Sequence, residues 1–275
     1  MTNMQTDYDV KLCLQRLRGR GGFLPKGALR SVMENWSLMV EPMRAELELL
    51  AQNPEESRKH SGNLSLYALY LVAYFKEKSC VESLCKILLH DGEWLDAWLD
   101  TTVEEDLCRI MAALLDAKQL RVLVDSRDVW WLGRATALEA MFILVMRGEY
   151  DREAMLEYCA ELLGRRHRED SYFMGAVVTI LSRLYPDAEL RREIHQAYAE
   201  ETVENLLIDE RDIWDQVERY TEEEWLDQMR AQYAPPMGDP IALLSRLDRF
   251  EATRHIGRNE TCPCGSGALY KHCCA

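Results

Sequence analysis

Glycine and proline are scarce in this chain, with 14 and 8 residues among 275. Their scarcity excludes collagen-like and low-complexity architectures. Long apolar runs are also missing: the best stretch, residues 135–146, is interrupted by Glu139 and falls short of the ~18 apolar residues that a bilayer span requires. The remaining composition, 48% apolar and 29% charged, is typical of a folded protein with a core of its own.

The sequence patterns of common enzymes are also lacking. There is no G-x-x-x-x-G-K-[ST] phosphate loop, no G-x-G-x-x-G fingerprint, no H-E-x-x-H pair and no G-x-S-x-G elbow. The six histidines are isolated, and none is paired by its spacing with a nucleophile. We therefore predict no catalytic residues and no organic cofactor. An enzyme with an unrecognised pocket is kept as an alternative.

The first residues, MTNMQTD, lack the basic and apolar regions of a signal peptide, which favours a cytoplasmic protein. The nine cysteines do not form a disulfide framework, because four of them crowd into the last fourteen residues. The other five are scattered singly through apolar stretches, and we expect them to be small buried hydrophobic residues. They are Cys13, Cys80, Cys85, Cys108 and Cys159.

Acidic residues outnumber basic ones, 47 to 33, which gives a formal net charge of −14. Such a chain repels nucleic acid and anionic membranes as a whole, so nucleic acid is an unfavoured partner. The acids concentrate at residues 91–106 and 200–227, the second stretch interleaved with Trp214 and Trp225. One interpretation is a solvated face. The other is a groove for a basic protein partner, with the tryptophans as anchors.

From residue 8 to 233 the apolar residues recur at intervals of three and four, which predicts an all-α fold. Asn63, Asp151 and Asp170 precede apolar runs as expected of N-caps, and Gly148 and Gly164 follow such runs as expected of helix ends. Alternating β-branched runs are absent.

The predicted helices come in pairs whose starts are about 30 to 40 residues apart, which favours a HEAT-like helical-hairpin solenoid. An irregular helical domain is the alternative. The pairs are 66–75 with 81–89, 137–145 with 152–163, and 176–184 with 188–198. We therefore divide the chain into a helical-repeat domain at 1–233, a linker with a last helix over 241–253 at 234–256, and a tail at 257–275.

Four cysteines in the tail form the pattern C-x-C-x8-C-C, and together they predict a metal site. Four thiolates about 2.3 Å from one ion satisfy structural zinc and leave no open coordination position. We expect the ligands to be Cys262, Cys264, Cys273 and Cys274, with iron as an alternative metal and His272 as an alternative ligand.

The residues around these cysteines suit a tight knuckle. Pro263 stiffens the first turn, and Gly265 and Gly267 can adopt positive φ so that backbone amides turn toward sulfur. A segment this small has no core of its own, so the metal must supply its folding energy.

The tail resembles the SEC-C motif, the zinc-binding ending of the SecA preprotein-translocase ATPase. The resemblance implies the same four cysteines as ligands, and it implies contacts with the export chaperone SecB or the ribosome. Ala268 and Leu269 depart from the family pattern, which often has two lysines there. The matching residues are Gly257, Arg258, Asn259, Cys262, Pro263, Cys264, Gly265, Ser266, Gly267, Tyr270, Lys271, Cys273 and Cys274. The body is also similar to an uncharacterised bacterial family of helical-repeat proteins.

These observations predict a cytosolic interaction or adaptor protein whose acidic helical scaffold holds a protein partner and whose zinc tail makes a second contact. The alternative from another class is a nucleic-acid or ribosome binder that acts through the tail, since zinc knuckles can contact RNA. Few basic residues in the tail support that alternative, chiefly Arg254, Arg258 and Lys271.

Overall fold

The computed structural model describes residues 2–19, 22–98, 101–204, 209–264 and 266–275. By packing, the chain divides into two compact units. The terminal unit joins Met1–Ile87 to Met237–Ala275, and the central unit is Leu88–Pro236. The terminal unit therefore contains residues from both ends of the sequence.

The described residues are mostly helical, which confirms the all-α prediction; among them β-type pairing is limited to an isolated bridge between Thr261 and Leu269. Short 3₁₀ turns occur at Lys78–Cys80, Arg166–Arg168, Asp248–Phe250 and Tyr270–His272. The helices are α1 (Thr2–Leu17), α2 (Lys26–Glu34), α3 (Trp36–Gln52), α4 (Pro54–His60), α5 (Leu64–Tyr74), α6 (Val81–Ile87), α7 (Gly92–Trp98), α8 (Thr101–Leu114), α9 (Ala117–Asp125), α10 (Trp131–Met146), α11 (Arg152–Gly164), α12 (Ser171–Arg183), α13 (Ala188–Ala199), α14 (Glu210–Val217), α15 (Glu222–Tyr233), α16 (Pro240–Leu244) and α17 (Glu251–Arg254).

The core of the terminal unit is built around α5, whose residues 64–73 are all buried. A helix that is apolar on every side must be covered on every side. Helices α1, α3 and α16 pack against α5. Tyr67 of α5 stacks on Phe250, with ring centroids 5.8 Å apart, so the C-terminal segment contributes to this core.

The core of the central unit is built around α10, which packs against α8, α9 and α12 and is also buried over most of its length. The predicted start of α11 is confirmed: Asp151 accepts from the Ala154 amide. The predicted start of α12 is confirmed in the same way, because Asp170 accepts from the amides of Tyr172 and Phe173. Gly148 adopts a φ of +72° just after α10, a conformation that favours glycine.

A buried ion pair crosses the central unit. Arg134 of α10 lies 2.9 Å from Glu169, and the two side chains are 7% and 4% exposed. The Arg134 guanidinium also donates to the Val124 carbonyl and covers the Phe173 ring at 3.9 Å. These contacts hold the α11–α12 connection against α10.

Arginines also satisfy free carbonyls at helix ends. Arg109 and Arg147 donate to backbone oxygens between Gln232 and Pro235, where α15 ends. Such carbonyls have no partner within their own helix. Burial lowers the pKa of Arg147.

Some sequence expectations need correction. The single last helix expected over 241–253 is wrong, because α16 and α17 are separated by a 3₁₀ turn. The buried residues Leu244, Leu247 and Phe250 follow one another at intervals of three, a spacing that the three-residue repeat of a 3₁₀ turn aligns on one side. Asn63 stands at the N-cap of α5, but its side chain accepts no capping bond.

The scattered cysteines divide into two groups: Cys80, Cys108 and Cys159 are buried as expected, whereas Cys13 and Cys85 are half-buried. Among the described helices, each is too short or too polar to cross a bilayer. The HEAT-like stacking and the division at 1–233, 234–256 and 257–275 stay predictions. Packing groups the two ends of the chain in one unit, a grouping that the sequence pattern does not reveal.

Candidate metal centre

The tail folds back on itself over residues 260–270. The Cys262 amide donates to the Ala268 carbonyl at 2.8 Å, and the Tyr270 amide donates to the Glu260 carbonyl at 2.8 Å. Gly267 has a φ of +74°, as the sequence predicted, so it makes the turn without strain. Gly265, for which the same was expected, lies outside the described residues.

The last two cysteines are placed by the 3₁₀ turn Tyr270–His272. The amides of Cys273 and Cys274 both donate to the Tyr270 carbonyl at 3.1 Å. The bridge between Thr261 and Leu269 brings the first cysteine pair beside the second. Local hydrogen bonding therefore gathers four thiols that are up to twelve positions apart.

The sulfurs of Cys262, Cys264, Cys273 and Cys274 all lie within 4.8 Å of one another. The Cys264 and Cys273 sulfurs are 3.4 Å apart, and those of Cys273 and Cys274 are 3.7 Å apart. Four sulfurs around one tetrahedral ion at 2.3 Å are separated by about 3.8 Å. The cluster therefore fits a metal site with four protein ligands. His272 is exposed and does not belong to the cluster.

The cluster is partly closed to solvent. Cys262 and Cys274 are buried together with Tyr270, and Phe23 and Ile256 pack against them. Burial raises the pKa of the Cys274 thiol, and it raises that of Cys262 to about 11. Thiols in such an environment need a cation to become thiolates, which is what a bound metal provides.

Cys264 differs from its neighbours. Burial raises the pKa of its thiol, but hydrogen bonds from Ser266, Cys262 and Cys273 outweigh burial and lower the pKa to about 7. The Ser266 hydroxyl lies 3.1 Å from the Cys273 sulfur and accepts from the Ala268 amide at 3.3 Å. Ser266 thus places a hydroxyl where it supports negative charge on sulfur.

The tail is docked on α2 of the terminal unit. The Gly27 amide donates to the Cys274 sulfur at 3.2 Å. Arg30, on the same helix, donates to the Cys273 carbonyl at 3.3 Å and to the Ala275 oxygen at 2.9 Å. Sequence reasoning missed both residues, because they lie more than 240 positions from the cysteines they contact.

A second contact joins the segment before α2 to α17, the last helix before the tail. The Thr253 hydroxyl accepts from the Leu24 amide at 2.7 Å and lies 3.2 Å from the Gly22 carbonyl. A Cβ atom on Gly22 would lie 2.9 Å from the Ala252 Cβ and 3.3 Å from the Arg249 carbonyl oxygen, so residue 22 has no room for a side chain. The segment before α2 and the segment before the tail are therefore held together.

The central unit contains an open groove of 890 Å³ between α11 and α13. Its charged lining consists of six carboxylates and two arginines. Arg152 already contacts Glu222 at 2.8 Å, and Arg191 lies over the rings of Tyr185 and Trp214. The carboxylates are Glu153, Glu157, Asp187, Glu189, Glu193 and Glu222.

Trp225, an anchor in one of the two interpretations of the acidic stretch 200–227, is instead a core residue. It is 6% exposed, and its indole N–H donates to the carbonyls of Ser182 and Arg183. Trp214 is half-buried. That interpretation is wrong for Trp225, because the amphipathic helix α15 turns its apolar side, including Leu226 and Met229, inward.

Comparison with known proteins gives two groups of relatives. An uncharacterized protein of Chlamydia trachomatis serovar D is 29% identical over 150 residues, which cover 54% of this chain and 59% of the relative. The protein translocase subunit SecA of Xanthomonas euvesicatoria is 28% identical over 201 residues, which cover 66% of this chain and 20% of SecA. SecA of Syntrophus aciditrophicus is 42% identical over 52 residues, or 19% of this chain and 6% of SecA.

The chain thus spans less than two thirds of the length of these relatives. No solved structure matches. Residues 258–275 match the SEC-C motif, which confirms the resemblance found in the tail. Residues 8–237 match the family described as "Protein of unknown function (DUF1186)". Because that match covers most of its length, the chain belongs to the DUF1186 family and carries a SEC-C motif at its C-terminal end.

Proposed function

We propose that the protein is a cytosolic adaptor that holds a basic protein segment in the acidic groove of its helical scaffold. Its SEC-C tail is a structural zinc knuckle. The observation that carries the proposal is the groove between α11 and α13, where carboxylates outnumber arginines six to two. Three of these carboxylates are paired within the protein: Glu153 and Glu222 with Arg152, and Glu193 with Arg166. The other three, Glu157, Asp187 and Glu189, would face the positive side chains of a partner.

Zinc is the metal that we assign to the tail. The four sulfurs match a tetrahedral site, and an all-protein ligand set is typical of structural rather than catalytic zinc. When bound, zinc would stabilise the knuckle and take no part in a reaction. The SEC-C motif supports a further proposal, that the knuckle makes a second contact with an export chaperone or the ribosome.

Elemental analysis of protein purified under reducing conditions tests the metal. We expect one zinc per chain and its loss in Cys273→Ser/Cys274→Ser. The control Cys13→Ser/Cys85→Ser changes two half-buried cysteines outside the cluster and should keep the zinc. Iron with visible thiolate absorption, or no metal, would contradict the zinc assignment.

Binding of a fluorescent octalysine peptide, followed by anisotropy, tests the groove. Glu157→Gln/Glu189→Gln removes two exposed groove carboxylates and should weaken binding about fivefold, since that loss equals about 1 kcal/mol. Asp128→Asn/Glu218→Gln removes the same charge from exposed positions outside the groove and should change binding less than twofold. Equal effects of the two variants would show that only net charge matters and would overturn the proposed groove.

A further inference from the structure

The candidate metal centre includes a contact from outside the cysteine motif, made by the start of α2. Gly27 is the second residue of α2, so its amide is one of the first-turn N–H groups that have no acceptor within a helix. The Cys274 sulfur, 3.2 Å away, is its acceptor. The hydrogen bond thus satisfies a helix end and holds one of the four sulfurs at the same time.

The close approach of α2 depends on glycine at this position. A Cβ atom on residue 27 would lie 3.0 Å from the Cys273 oxygen and 3.2 Å from the Cys274 sulfur. Both distances are shorter than an ordinary van der Waals contact. A larger side chain would push the tail away from the helix.

Arg30 extends the contact by one helical turn. Residues three apart lie on the same helix face, so Arg30 stands beside Gly27. Its guanidinium donates to the Cys273 and Ala275 oxygens. Four thiolates around a divalent cation carry a net charge of −2, which the positive end of α2 and the Arg30 charge both stabilise.

We infer that α2 is part of the metal centre: Gly27 and Arg30 hold the cysteine tail, so metal binding and the docking of the tail on α2 strengthen each other. The inference rests on the proposed zinc knuckle. Coupled binding events are reciprocal, so a change in α2 that weakens docking must also weaken metal affinity. Loss of hydrogen bonds around metal ligands typically costs 10- to 100-fold in affinity.

Zinc affinity of the full chain, measured by competition with a chromophoric chelator under reducing conditions, tests the coupling. We expect Gly27→Ala to weaken zinc binding about 10-fold and Arg30→Met to weaken it by a smaller factor. Alanine is a better helix former than glycine, so a weaker site in Gly27→Ala cannot be attributed to loss of α2.

Two matched controls accompany these variants. Gly164→Ala adds a methyl group to a helical glycine that has nothing within 4 Å of the new atom. Arg44→Met removes a half-buried arginine whose partners, Glu41 and Glu48, lie on the same helix. Both controls should bind zinc within twofold of the wild type.

Hydrogen exchange at the Gly27 amide provides a second readout that does not depend on any variant. Because this amide has no helical acceptor, its protection reports on the bond to Cys274. We expect protection with zinc and faster exchange after chelation. Zinc affinities of Gly27→Ala and Arg30→Met equal to the wild type, with unchanged exchange at Gly27, would overturn the inference and leave the zinc knuckle intact. A wild-type chain that binds no zinc would overturn both.

Discussion

At the scale of single residues, the charged side chains that lie buried in the described part of the central unit have partners. Arg134 and Glu169 satisfy each other, and Arg134 also caps the Val124 carbonyl. Arg166 is similarly buried and lies 2.6 Å from the Glu200 carboxylate. Such pairs contribute little beyond an apolar pair of the same size, but removing one member leaves an uncompensated charge.

We expect Arg134→Met to lower the free energy of unfolding by about 3 kcal/mol, because Glu169 then stays buried with only the exposed Arg127, 3.6 Å away, as an ionic partner. Urea denaturation of the full chain measures the loss. Arg165→Met removes an exposed arginine that pairs with Asp125 and should cost less than about 1 kcal/mol. Equal losses for the two variants would show that burial of the Arg134–Glu169 pair does not increase the cost of removing its arginine.

Glu200 predicts a pH dependence. Hydrogen bonds from Arg166 and then Gln196 lower the pKa of its carboxyl to about 2, against an ordinary value of 4.5. A carboxyl whose pKa is lowered in the folded state stabilises the fold at pH values above its ordinary pKa of 4.5. This stabilisation is lost as the pH falls from 4.5 toward 2.

The test is to measure unfolding free energies of the wild type and Glu200→Gln between pH 7 and pH 3. We expect the wild type to be more stable than Glu200→Gln by a constant amount above about pH 5, and by a decreasing amount below that pH. The exposed control Glu218→Gln should show no such narrowing. A difference that is the same at every pH would contradict the assigned pKa.

At the scale of helices, aspartate caps determine where the elements of the central unit begin. Asp170 accepts from two amides of α12, and Asp187 accepts from two amides of α13. Asp116 and Gln119 form a reciprocal capping box at α9. Each cap supplies an acceptor to first-turn amides that have none within their own helix, so the caps contribute directly to stability.

We expect Asp170→Ala to destabilise the protein by about 1 kcal/mol and Asp170→Asn to recover most of that loss, because asparagine also accepts from helix amides. Chemical denaturation measures both variants. If asparagine is as damaging as alanine, the role of Asp170 is its charge rather than its capping bond.

The sequence was informative wherever the signal was local. Asp151, Asp170 and Gly148 were identified because caps and stops act within a few residues, and the four clustered cysteines are gathered by a short turn. The split of the last helix was missed because the burial of Leu247 and Phe250 in the core, rather than local helix propensity, determines the backbone there. The contact between Gly27 and Cys274 joins distant residues and produces no periodic pattern in the sequence, so the docking of the tail on α2 could not be predicted.

At the scale of the whole chain, the terminal unit depends on two segments that the sequence separates. Met1–Ile87 and Met237–Ala275 share one core, through contacts such as Tyr67 on Phe250. The proposed zinc knuckle would add a metal-dependent contact to the same unit. Stability is not uniform within a protein, so loss of a contact in one unit can open that unit without unfolding the rest of the chain.

Metal removal should therefore act on the terminal unit in particular. After chelation we expect faster amide exchange over residues 22–30 and 257–275, because the knuckle then loses the ion that folds it. Helix α10, in the core of the central unit, is the internal reference and should keep its protection. Uniform loss of protection throughout the chain would contradict a local role of the metal.

The placement of the cysteine tail on α2 also has a consequence during synthesis. The ribosome makes α2 long before it makes residue 274, so the helix surface around Gly27 stays uncovered while the whole central unit emerges. Any translation product that stops short of Cys273 would leave this surface, including the half-buried Phe23, without its cover. Completed chains and prematurely terminated ones should therefore differ in how strongly they attract chaperones and proteases.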